Sequence, residues 1–260
     1  MSEHTPILEV RELRKSYAAH GTVHTAVDGV GFALTRGETL GIVGESGCGK
    51  TTLARMLMRL VEPDSGEILL DGRNWLGARG AEFRGLRRKM QMVFQDPVAS
   101  LNPRHRVGMI VGEPLEIHEP GMAADERRRR VVQMLADVGM PEDSASRYPH
   151  EFSGGQGQRI GIARALILRP QIVVADEPVS ALDVSIGAQI LELLARLQAE
   201  FSLTMILISH SLPVVAQMAA RVAVMQRGKF VEVGNTEQVL QAPENEYTQA
   251  LVAAVPEIPA

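Results

Sequence analysis

Apolar positions along this chain follow two rhythms: short continuous or alternating runs that suit strands, and three-to-four-residue spacings that suit helices. Ile7 to Tyr17 alternates loosely, and Thr25 to Leu34 carries Val27, Val30, Phe32 and Leu34, so both predict strands ahead of the Arg36-Gly37-Glu38 turn. Thr39 to Val43 predicts a buried strand. Thr51 to Leu60, with Leu53, Met56, Leu57 and Leu60 at helical spacing, predicts a helix. Turn chemistry at Glu62-Pro63-Asp64-Ser65-Gly66 precedes a strand over Glu67 to Leu70, a turn at Asp71-Gly72 and a further strand over Lys89 to Phe94, which ends at Gln95-Asp96-Pro97.

From Val98 to about Arg169 the rhythm is helical, with helices predicted over Val107 to Ile117, Ala124 to Val138 and Gly155 to Leu168. Apolar runs over Gln171 to Ala175 and Leu203 to Ile208 then predict buried parallel strands, with a helix over Ser185 to Phe201 between them. Arg221 to Gln226 and Phe230 to Val233 close the sheet around Arg227-Gly228-Lys229, and Thr236 to Gln241 and Glu246 to Val255 predict short helices. The alternation defines an α/β fold with a mainly parallel sheet, and the helical stretch reads as an insertion between two of its strands.

Bulk properties narrow the classes. A chain of 260 residues, 45% hydrophobic, suits one large domain or a domain carrying an inserted subdomain. The net charge of −4 argues against a nucleic-acid partner, and the Arg127 to Arg130 run, following Asp125 and Glu126, reads as a solvated helix face. Cys48 is the single cysteine, which excludes an internal disulfide and multi-cysteine metal sites and fits a reducing compartment. Met1 to Pro6 predicts no secretory signal, and no apolar run approaches the roughly 18 residues of a membrane span.

The chemistry centres on Gly44-Glu45-Ser46-Gly47-Cys48-Gly49-Lys50-Thr51-Thr52, which fits GxxxxGK[ST] between a strand and a helix. Glycines let the backbone turn with its N–H groups inward, the helix N-terminus adds about half a positive charge, Lys50 adds a full one, and Thr51 offers a hydroxyl to Mg²⁺. Cys48 reads as a small residue whose amide binds phosphate. A redox role is the alternative, since a helix N-terminus lowers thiol pKa. Asp176 and Glu177 follow a buried strand, where α/β sheets hold their ligands, with Asp176 suited to Mg²⁺ and Glu177 to polarising an attacking water. Gln95 and His210, each at a strand end, are candidates for sensing metal or γ phosphate and for holding that water. Tyr17, at a strand end, offers a ring for an adenine base.

Ser153-Gly154-Gly155-Gln156 at a helix start is a second anion-binding nest. Two such sites in one chain predict a head-to-tail dimer in which the nest of one copy closes over ATP held by the other. Ser180-Ala181-Leu182-Asp183 then lies near that interface.

In this order the motifs resemble those of the ATP-binding cassette proteins over nearly the whole chain. Tyr17 is similar to the adenine-stacking aromatic, Gly44 to Thr52 to Walker A, and Gln95 to the Q-loop. Ser153 to Gln156 matches the signature, Ile172 to Glu177 Walker B, Ser180 to Asp183 the D-loop and His210 the switch histidine. Gln91 to Pro97, Ser100 to Arg104, Arg147 to Phe152 and Tyr247 to Leu251 further resemble the oligopeptide, dipeptide and nickel importer branch.

The resemblance implies a P-loop NTPase: a RecA-like core with an antiparallel β subdomain over 1–97 and 170–235, a helical signature subdomain over 98–169, and a C-terminal tail over 236–260. It implies ATP and Mg²⁺ bound by residues 44–52, Tyr17, Asp176 and Gln95, with Ser153 to Gln156 and Asp183 completing the partner's site. It also implies two integral membrane permease subunits, a second cassette, a solute-binding protein, and a peripheral place on the cytoplasmic face of the membrane. Peptide, nickel, glutathione or opine-like cargo all fit. Phe152 and Ser211 depart from the family's usual Leu and Asp. Two other classes fit part of the pattern. A soluble cassette ATPase of DNA repair or translation should carry fused cassettes or a long coiled coil, and a non-hydrolysing regulatory module should lack Glu177 and His210.

Overall fold

The computed structural model describes residues 5–19, 22–96 and 100–254. Pro97 and Val98, at the predicted start of the helical insertion, lie outside the described residues, as do His20 and Gly21 of the polar loop and Val255 at the end of the last predicted helix. In chain order, β1 (Leu8–Ala19), β2 (Thr22–Leu34) and β3 (Thr39–Val43) lead into α1 (Lys50–Leu57). Then come β4 (Ser65–Leu70), β5 (Arg73–Asn74), α2 (Gly80–Lys89), β6 (Met90–Val93), α3 (Val107–His118), α4 (Ala124–Asp137) and α5 (Gly154–Leu166). They are followed by β7 (Ile172–Asp176), α6 (Val184–Glu200), β8 (Thr204–Ser209), α7 (Leu212–Met218), β9 (Arg221–Gln226), β10 (Lys229–Asn235), α8 (Thr236–Gln241) and α9 (Glu246–Ala253).

The chain divides into two compact units, residues 1–83 with 204–260, and residues 84–203. In the first, β2-β1-β4-β5 form an antiparallel sheet, in which Leu8 faces Leu34 on one side and Leu70 on the other. β3 pairs in parallel with β8 and β9, and β10 returns antiparallel along β9. All of β3 and β8 is buried, as expected of parallel strands covered on both faces. Leu40, Ile42, Leu53, Met56, Ile206 and Val222 are completely inaccessible, each stabilising the fold by about 1.5–3 kcal/mol on the area scale. On the other side of β3, a Cβ at Gly41 would lie 2.0 Å from Val215 Cγ1, so α7 lies directly on that strand.

In the second unit β6 and β7 are parallel, in register from Met90 opposite Ile172 to Val93 opposite Ala175. Around them pack α3, α4, α5 and α6, whose buried faces carry Val107, Ile110, Val131, Leu135, Ile160, Ile162, Ile190 and Leu194. Arg130 ties this bundle together, donating to Glu119 Oε2 at 2.9 Å and to the Ile167 carbonyl at 2.9 Å. The arginine run is therefore only partly a solvated face. Arg129 stays exposed beside Glu126, whereas Arg130 is a structural donor.

Candidate nucleotide site

The first unit carries the phosphate loop. β3 and β8 run in register, with Val43 opposite Ser209, so the chain leaves both strands at one carboxyl edge, releasing Gly44 from the first and His210 from the second. That edge is where open α/β sheets hold ligands. His210 is exposed there. The loop needs glycine at two close approaches: a Cβ at Gly44 would lie 2.1 Å from the Met225 carbonyl oxygen, and one at Gly49 2.1 Å from that of Ala26. Gly49 also has φ 115 and is the N-cap of α1, with no side chain capping the helix. The first-turn amides, those of Lys50, Thr51 and Thr52 among them, remain available to an anion.

Glu45, Ser46 and Gly47 form the exposed crest, and Cys48 turns inward, its amide donating to the Glu45 carbonyl at 3.2 Å. Lys50 is only 4% exposed. Its Nζ donates to the carbonyls of Gly44 at 2.7 Å and Glu45 at 2.9 Å, so the loop's own oxygens solvate the ammonium. Burial pushes the Cys48 thiol pKa up, and the neighbouring Lys50 cation does not reverse it. This overturns the premise of the redox alternative, a thiol pKa lowered by its surroundings, because desolvation outweighs the Lys50 charge and the hydrogen bonds to the sulfur.

Tyr17 stands opposite His24 on β1, 41% exposed, with Lys15 Nζ 5.7 Å from its ring centroid. It is a surface ring of the kind a base can stack on. One contact at the loop carries no sequence signal. The Glu45 amide donates to the Tyr247 hydroxyl of α9 at 3.0 Å, across 202 positions of chain.

The second unit carries the acids. β6 and β7 end side by side, and beyond them Gln95 Nε2 donates to Glu177 Oε2 at 3.2 Å. Asp176 closes β7 at 3% exposure. Glu177 sits at φ 46, the left-handed region that non-glycine residues seldom occupy, and the Ser180 hydroxyl donates to its carbonyl at 3.1 Å. Asp183 caps α6 by accepting the Ile186 amide at 3.0 Å.

Ser153 caps α5 in a reciprocal box. Its Oγ accepts the Gln156 amide at 3.4 Å, while Gln156 Oε1 accepts the Ser153 amide at 3.0 Å. A Cβ at Gly155 would lie 2.4 Å from Ile186 Cγ2, so the start of α5 sits against α6 with room only for glycine. The Arg147 guanidinium lies 4.4 Å from the Phe152 ring centroid, a cation–π contact that accounts for an aromatic residue before Ser153.

Among the described residues no group of three or more His, Cys, Asp or Glu side chains forms a metal cluster. Thr51 stands in the first turn of α1 and Asp176 at the end of β7, a hydroxyl and a carboxylate of the donor types that Mg²⁺ accepts. No helix of the described residues is long and apolar enough to cross a membrane.

A glycine loop wrapped onto a helix N-terminus with a lysine stored inside it, together with acids at the end of a buried parallel strand, defines an ATP-binding P-loop protein of the α/β class. Residues 27–180 match the ABC transporter family. The chain belongs to that family and is one of its ATP-binding cassettes. It is 52% identical over 231 residues to the oligopeptide transport ATP-binding protein OppF of Escherichia coli (strain K12), covering 89% of this chain and 69% of that one. It is 48% identical to the dipeptide transport ATP-binding protein DppF of Haemophilus influenzae, covering 99% of this chain and 80% of that one.

Among solved structures, the dimeric post-hydrolysis state of the ATP-binding cassette MJ0796, bound to ADP and Pi, superposes with a TM-score of 0.80 at 30% identity. The match covers 88% of this chain and 98% of that one. CbiO1 of Clostridium perfringens, part of an ABC transporter complex, superposes at 0.77 with 32% identity over 92% of both chains.

Proposed function

We propose that this chain is the ATP-hydrolysing subunit of an importer for di- or oligopeptides. The observation that carries the hydrolytic part is Glu177, held by Gln95 just past a buried strand, as a base for attacking water must be. The relatives' names, oligopeptide and dipeptide transport ATP-binding proteins, support the cargo.

In this reading Lys50 and the uncommitted amides of the 44–52 loop hold the phosphates, Tyr17 stacks on the base, and Thr51, Asp176 and Gln95 hold Mg²⁺. Bound Mg²⁺ would neutralise charge on the transferring phosphoryl group. Glu177 takes the proton of the attacking water, and His210 orients that water. Ser153 to Gln156 and Asp183 face the nucleotide of a second cassette. The amides of Gly154 and Gly155, which the capping box does not use, supply donors where charge develops.

The second unit contains a groove of about 800 Å³, lined by Arg106, Met109, Glu116, Arg127, Arg128 and Glu142. Met109 at its rim is 58% exposed. An apolar side chain ringed by charges of both signs suits a short amphipathic helix, and we assign this groove to the cytoplasmic helix of a permease subunit. The protein then sits peripherally on the cytoplasmic face of the membrane, with a solute-binding protein reaching it through the permease.

The test is purification in mild detergent followed by turnover measurement in vesicles. Integral membrane subunits should co-purify, and a peptide-loaded binding protein should stimulate phosphate release. Co-purification with ribosomes or DNA would defeat the transport reading, and stimulation by nickel alone would move the cargo away from peptide.

A further inference from the structure

The Gly44–Glu45 peptide unit is tied at both ends. Its carbonyl accepts from Lys50 Nζ at 2.7 Å, and its N–H donates to the Tyr247 hydroxyl at 3.0 Å. The two groups of a trans peptide point in opposite directions, so Lys50 and Tyr247 approach this plane from opposite sides. Next to a glycine such a plane turns over at little cost, because Gly44 tolerates backbone angles that other residues do not. Held at both ends, it has one orientation.

Tyr247 is itself well anchored. The Glu232 carboxylate of β10 accepts the amides of Glu244 at 3.0 Å and Asn245 at 3.1 Å, and Asn245 caps α9 by accepting the Tyr247 amide at 2.9 Å. Burial alone would raise the Glu232 carboxyl pKa, but the Thr248 hydroxyl and those two amides outweigh it and hold it below the ordinary value. The clamp is therefore charged near neutral pH. Burial raises the Tyr247 phenol, which stays protonated there and accepts the Glu45 amide with a lone pair.

We infer that Tyr247 is a positioning residue for the phosphate loop: its hydroxyl fixes the Gly44–Glu45 peptide, so that the C-terminal helix α9 sets how readily the loop receives a nucleotide. The inference rests on the reading of residues 44–52 as the nucleotide site. When phosphates draw the Lys50 ammonium away from the Gly44 carbonyl, the Tyr247 tie persists. The loop then binds without first having to select one orientation of that plane.

Tyr247→Phe keeps the ring and removes the tie. One hydrogen bond of ordinary strength corresponds to about a fivefold change, so KM for ATP and the dissociation constant of a fluorescent ATP analogue should each rise about fivefold. The turnover number should stay within about twofold, since the hydroxyl touches no reacting atom. Backbone amide exchange in the 44–49 segment should quicken without nucleotide, with little change in the thermal midpoint. Asn245→Ala, which keeps the hydroxyl but loosens the start of α9, should move exchange and affinity the same way to a smaller extent. Unchanged nucleotide affinity in Tyr247→Phe would overturn the inference. So would a lowered melting point with exchange in 44–49 unaltered, which would make the residue a prop for the tail alone. If the wild-type protein bound no nucleotide, the functional reading would fall instead, and the exchange measurement would still decide whether Tyr247 orders the loop.

Discussion

Gln95 Nε2 donates to Glu177 Oε2 at 3.2 Å, joining the residues that follow two adjacent parallel strands. The amide fixes a carboxylate whose backbone already sits in a sparsely populated conformation at φ 46. Glu177→Gln replaces the proposed base with an amide of the same shape. Phosphate release should fall by at least about a hundredfold, the usual scale for a lost general base, while ATP binding persists and a closed dimer accumulates. Turnover assays with size-exclusion chromatography read both outcomes, and undiminished turnover would remove Glu177 from its role.

Lys50 makes two hydrogen bonds to loop carbonyls and is almost wholly buried. Lys50→Ala should weaken ATP binding by about a hundredfold, on the basis of a charge-assisted bond contributing roughly 1.5–3 kcal/mol. Calorimetric titration measures it directly. Wild-type affinity in this variant would show that the phosphates lie elsewhere.

Cys48 should behave as a sluggish thiol. Its pKa is raised, so its thiolate population at pH 7 is smaller than the few per cent of an ordinary cysteine. Alkylation by iodoacetamide, followed by mass spectrometry, should be at least about tenfold slower in native protein than in urea. A native rate equal to or above the unfolded one would revive the redox alternative.

Gly155→Ala places a methyl 2.4 Å from Ile186 Cγ2. Overpacking of this kind costs about 1–3 kcal/mol, and the second unit should unfold at correspondingly lower denaturant. Adding Ile186→Ala removes the opposing atom and should restore part of the loss. A double-mutant cycle measures that coupling, and strict additivity would show that the two sites do not meet.

The elements most legible in the sequence are those whose every residue is buried. β3, β7 and β8 are apolar except at their ends because both their faces are covered, and the site motifs follow them. α2 has no such signal for the opposite reason: Leu86 is its only buried residue, so its sequence carries no apolar stripe. α7 is only seven residues long, held by Val215 against Gly41 of β3, and too short to establish a period. The meeting of Tyr247 with Glu45 could not be read at all, since neither residue's neighbours encode a contact made 202 positions away. The premise of the redox alternative for Cys48 fails because a helix end is visible in sequence whereas desolvation is not, with Ala26, Met225 and Gly228 closing around the loop.

The stowing of the Lys50 ammonium against two carbonyls bears on discrimination among anions. An ion with one phosphate offers few oxygens in return for those it displaces and for the ordering it imposes. A polyphosphate chain spans the loop amides and the cation together, and releases the lysine at a net gain. On the proposed reading of this loop, orthophosphate should bind it weakly and the longer chain should be preferred.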